Sequence, residues 1–166
     1  MQNELASLGH FVGYEIFWWA LVVLLLSYVR CVERRPLTSI GFHKPGVWNI
    51  LIGIAAGIVF LASLAGIYFV LFPYLHFKED PQVARVMSQM LAKPQWWRLT
   101  LILRGAIGEE ILFRGYAIER LRELTGRFSI AGSAGVILTL LYIWRRNLWV
   151  NMIAHFVPDA IGLLLS

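Results

Sequence analysis

Two carboxylates stand side by side, Glu109 and Glu110, inside an otherwise apolar run of about Leu99–Ala117. A charged group at mid-membrane costs roughly 2.5–3.5 kcal/mol on insertion scales, so such a pair persists only with partners or a purpose. Glu110 and Arg114 are four residues apart, share a helix face and can pair. Glu109 is rotated by about 100° and is not fully neutralised by the same arginine. A second carboxylate left in this way is suited to taking a proton from water, which is the work of a general base. The competing reading is an ion pair at the end of the helix, close to Arg120.

A second set lies near the C-terminus. Asn151, His155 and Asp159 are spaced by four and make one polar stripe on the apolar run of about Leu148–Leu165. Asp159 can orient the imidazole or accept from a bound group. Pro158 removes one backbone donor and is expected to bend the helix. For Asn151 the simpler reading is a hydrogen-bonded seam between helices. A base, an imidazole and further polar groups on two helices suit water activation and hydrolysis.

The elements that must position these groups are membrane helices. The chain has 166 residues, 58% hydrophobic and only 15% charged, where soluble domains are about a quarter charged. The expected fold is all-α: a multi-pass transmembrane bundle of about five apolar segments, forming a single integral membrane domain over 1–166. The segments are about Phe11–Val29, Val47–Leu71, Leu99–Ala117, Phe128–Trp144 and Leu148–Leu165. Glu15 near the start of the first is expected at interface depth. Gly53, Gly57, Ala62 and Gly66 give small-residue spacing for close helix packing. Residues 76–95 are polar, with Val83, Val86, Met87, Met90 and Leu91 at helical spacing. They predict a short amphipathic surface helix, followed by Trp96 and Trp97 as interfacial anchors. The net charge of +5 collects at segment ends, as cytoplasmic loops do, and excludes a nucleic-acid partner. Cys31 is the only cysteine, which rules out an intrachain disulfide, and it reads as an inert thiol rather than a palmitoylation site. The first ten residues lack Lys and Arg and do not read as a cleaved signal peptide.

The run Glu109-Glu110-Ile-Leu-Phe-Arg114-Gly115 resembles the EExxxR motif of the CAAX-protease and bacteriocin-processing family of intramembrane endopeptidases. Arg145 to Asp159 resembles that family's last helix, with its HxxxN/D motif and preceding turn. The resemblance covers a core region of about 97–165. It implies a helical bundle around a polar cavity, and a peptide or protein substrate, lipidated at its C-terminus in the eukaryotic branch. Glu109 would activate water, with Glu110, His155 and Asp159 completing the catalytic set and Arg114 and Asn151 supporting it. His155 and Asp159 would stabilise the oxyanion. If a divalent metal such as zinc takes part, Glu109 and His155 are the candidate ligands, although catalytic zinc usually has three protein ligands. The expected location is a prokaryotic plasma membrane, in contact with lipid.

One family element is missing. The family carries an FxxxH helix between these motifs, and no histidine lies between Arg114 and His155. Phe72 to His76 has that spacing but precedes the glutamates and contains Pro73. Charge topology points to the same gap. Arg30, Arg34, Arg35 and Lys44 place the first loop inside, and Arg120, Arg122 and Arg127 return there. Residues 128–144 have length for one span, which would export Arg145 and Arg146. The expectation is that 128–144 is tilted or crosses incompletely. Two further functions remain open: an inactive membrane scaffold or self-immunity factor, and a small proton or ion carrier using Glu109, Glu110 and Asp159.

Overall fold

A computed structural model describes residues 2–76, 80–125 and 136–164, and every regular element among them is helical. Helix α1 runs Gln2–Ser27 and continues through a wider turn, Tyr28–Val32. After a 3₁₀ turn at Leu37–Ile40, α2 runs Val47–Gly66 and continues through Ile67–Leu71 to Tyr74. Helix α3, Pro81–Leu91, starts on Asp80, whose side chain accepts from the Gln82 amide. Helix α4, Gln95–Leu103, runs into a long segment, Arg104–Ala117, with i→i+5 hydrogen bonding, and then into α5, Ile118–Thr125. Helices α6, Val136–Arg145, and α7, Leu148–Leu164, follow.

Of the five predicted apolar segments, two are helices long and apolar enough to cross a membrane, Gly9–Val32 and Val47–Tyr74. At 24 and 28 residues they are about 36–42 Å long, against a hydrocarbon core of about 30 Å. Only 17% and 11% of their most apolar windows are buried, so protein does not cover them as it would the core helices of a soluble domain. Helix α7 is apolar but shorter. The third segment carries four charges, and the fourth is described only over α6, whose ten residues span about 15 Å. Residues 126–135, which hold the start of the predicted fourth segment, lie outside the described residues.

Helices α2 and α7 meet almost backbone to backbone. A Cβ added at Gly53 would sit 2.8 Å from Cβ of Ile153, and one at Gly57 would sit 2.7 Å from Cβ of Val157. Gly66, by contrast, faces nothing within 4 Å, so the small-residue repeat is used at its first two members only. Val22, Ile111, Ile118, Tyr142, Leu148 and Met152 form the apolar core between α1, the wide segment, α6 and α7. The far end of α7 is tied down by Arg98, which donates to the Leu163 carbonyl at 2.5 Å and satisfies one of the acceptors a helix end leaves open.

The arginine-rich loops gather at one end. Arg120 pairs with Glu33, Arg35 with Glu123, and Arg145 donates to Asn49. Glu119, fully buried, accepts from Tyr142 at 2.9 Å and pairs with Arg146 at 2.7 Å and Arg122 at 3.0 Å. Arg145 and Arg146 therefore lie at the same end as Arg35 and Arg120. Helix α7 starts there, with Asn147 Oδ1 accepting from the Trp149 amide as its cap.

Candidate functional site

Glu110 is the centre of the polar cluster and is fully buried. Its Oε1 accepts from Arg114 Nη1 at 2.7 Å and lies 2.9 Å from His155 Nδ1. Those two contacts bring together motifs 45 residues apart in sequence. The other ring nitrogen, Nε2, faces Asp159 Oδ2 at 3.5 Å. Glu110 Oε2 is buried with no hydrogen-bond partner.

Glu109 stands outside that inner set. Its side chain is 38% exposed, and its nearest cation is Arg104, with Nη1 at 3.9 Å from Oε1. It still acts electrostatically on both His155 and Asp159. The carboxylate in contact with the imidazole is Glu110. Neighbours in sequence point in directions set by the winding of the helix, and here the inward one is the second. Nor is Glu109 without a cation, since the wide winding brings Arg104, five residues back, to its side.

Gly105 forms the floor beside the imidazole. A Cβ there would lie 3.9 Å from both His155 Nε2 and Asp159 Oδ2, so its absence leaves room at the polar edge. Asn151 is turned away from this group. Its Nδ2 donates to the Leu138 carbonyl at 2.5 Å, joining α7 to α6, and it is fully buried. That is the seam reading of Asn151.

Spacing alone gave Glu15 and Arg104 no place in the site. Glu15 is buried, and its Oε1 accepts from Arg104 Nε at 3.1 Å. Arg104 also lies against the rings of Tyr14 and Trp18, 5.4 and 5.5 Å from their centres. Opposite charges inside two apolar runs were the available clue.

A zinc ion does not fit this donor set. His155 has both ring nitrogens directed at carboxylates of the cluster, and Glu110 is already committed to Arg114. Among the described residues no group of three His, Cys, Asp or Glu side chains is arranged to hold a metal. The chemistry these side chains supply is that of carboxylates and an imidazole. No family model matches the chain, and no curated protein or solved structure matches it.

Proposed function

We propose that the chain is an integral membrane peptidase of the CAAX-protease-like type, hydrolysing a peptide bond with a glutamate-activated water. The observation that carries this is the 2.9 Å contact between Glu110 and His155, which unites the two resembling motifs in one buried cluster. Glu109, the more exposed carboxylate, takes a proton from water as the water oxygen bonds to the scissile carbonyl carbon. Glu110 fixes the imidazole through Nδ1, leaving Nε2 and Asp159 at the open edge beside Gly105. A protonated His155 donates there to the developing oxyanion. Collapse breaks the carbon–nitrogen bond, and Glu109 returns its proton to the leaving amine. Peptides or proteins held at the membrane are the substrate class, with a lipidated C-terminus as the first to try. Glu109→Gln should lower turnover by about 10²–10⁴ while the protein folds normally. Cleavage of membrane-presented peptides, followed by mass spectrometry, is the test, and near-normal cleavage by that variant would remove the proposal.

A second reading is an inactive scaffold or self-immunity protein. It is favoured by the absence of any histidine between Arg114 and His155. Full biological function in the Glu109→Gln variant would select it.

The membrane topology belongs to the same proposal. Arg146 pairs with Glu119, and Arg120 of the same helix pairs with Glu33, which supports a reading in which the arginine turn and α5 share one face of the membrane. Trp144, exposed beside the turn, is the site to probe. Trp144→Cys in a Cys31→Ser background should resist an impermeant thiol reagent in intact cells and react after permeabilisation. Labelling in intact cells would mean that the arginine turn is exported.

A further inference from the structure

Helix α1 entered the sequence reading only as the first apolar span, yet it reaches the site. Glu15 is among the few buried charged residues, and an ionisable group in an apolar span needs a partner or a task. Its partner is Arg104, 89 residues away, and Arg104 is the cation nearest Glu109. In an ordinary α-helix, residues five apart point about 140° away from each other. The i→i+5 winding of Arg104–Ala117 removes that offset and sets Arg104 beside Glu109. Wide helical turns of this kind are rare and concentrate at functional sites. The guanidinium is fixed from every side: Glu15 on Nε, Glu109 near Nη1, and the faces of Tyr14 and Trp18.

We propose that Glu15 and Arg104 are a positioning pair that holds the Glu109 carboxylate in place, making α1 a wall of the site. The role assigned to Glu109 rests on the peptidase reading, but its placement by Arg104 can be measured without any substrate. A hydrophobic carbodiimide adds to protonated carboxyl groups, and its attachment at Glu109 can be timed by peptide mass mapping. Removing an opposite charge at this distance should accelerate it roughly tenfold or more in Arg104→Gln. The decisive variant is the charge swap, Glu15→Arg with Arg104→Glu. It restores an ion pair between α1 and the wide segment, and with it the thermal midpoint, but sets a second carboxylate beside Glu109. Glu109 should therefore still react fast.

A swap that returned both the midpoint and the slow labelling to wild-type values would show the pair to be a helix staple and overturn the proposal. Arg104→Lys, which keeps the charge, should label slowly; fast labelling at an undisturbed midpoint would overturn it equally. With a cleaved peptide in hand, Arg104→Gln should lower kcat tenfold or more and leave KM nearly unchanged. If no peptide is cleaved by the wild type while the labelling pattern holds, the peptidase reading fails and the positioning pair stands.

Discussion

Carboxylates meet arginines in two places in this molecule, and the two networks are built from the same side chains in opposite surroundings. In the interior of the bundle, Glu110 and Arg114 are 0% and 7% exposed and share His155. At the arginine-rich end, Arg35 and Glu123 are 45% and 36% exposed and sit in a ladder with Arg120, Glu33 and Tyr116. The distances are alike, 2.7 Å and 2.6 Å. Solvent makes the difference. An exposed pair gains little over its hydrated ions, whereas a buried pair cannot lose one member without stranding the other. The inner network is thus bound to stay intact, and the outer one can be rebuilt at small cost. This is also why the inner network can hold chemistry: groups that cannot relax into water keep their positions.

Arg114→Leu should expose this contrast most strongly. It strands a fully buried carboxylate, at a cost of about 3–5 kcal/mol. Poor expression or a thermal midpoint lowered by several degrees is expected, read by nanoscale calorimetry or fluorescence in detergent. A stable but inactive variant would instead mean that Arg114 touches substrate, and the two networks would no longer differ in the way described.

Tyr142→Phe probes a middle case. Glu119 is as buried as Glu110 but belongs to the arginine-rich end, and Tyr142 is its one neutral donor. Losing that hydrogen bond should cost about 1–3 kcal/mol, because Arg146 and Arg122 remain to satisfy the carboxylate. A loss as large as that of Arg114→Leu would show that burial alone, regardless of the charge on the donor, sets the scale.

Local periodicity made part of the site legible. The Glu110–Arg114 pair follows from four-residue spacing, and so does the stripe that puts His155 and Asp159 on one face. What spacing could not supply was the choice between Glu109 and Glu110, since that depends on how tightly the helix is wound. The Glu15–Arg104 pair spans 89 residues, and no periodicity reports a contact between distant helices. The helical class and the two long apolar helices were legible because lipid-facing surface needs apolar residues on all sides. Of the fourth segment only α6 lies within the described residues, and Arg145 and Arg146 after it are held at the arginine-rich end.

The smallest effect is expected at the outer ladder. Arg35→Gln removes one partner of an exposed pair and should cost no more than about 1 kcal/mol, less still in high salt. Its trace should be clearer in the pH dependence of stability. The hydrogen bond from Arg120 holds the Glu33 carboxyl below its ordinary value of 4.5, with smaller help from Tyr116 and Arg35. Glu123 is lowered chiefly by its hydrogen bond from Arg35. A depressed carboxylate adds stability that is fully present above its unfolded value and is lost as pH falls through the folded one. The ladder should therefore hold at neutral pH and weaken below about pH 4.5. Arg35→Gln should flatten that acid limb by removing the main cause of the Glu123 shift, leaving the Glu33 part. Thermal midpoints of both proteins between pH 7 and pH 4 would measure it. A variant whose midpoint falls with acid as steeply as the wild type would show that the Arg35–Glu123 contact contributes nothing in solution, and the outer network would reduce to Glu33 and Arg120.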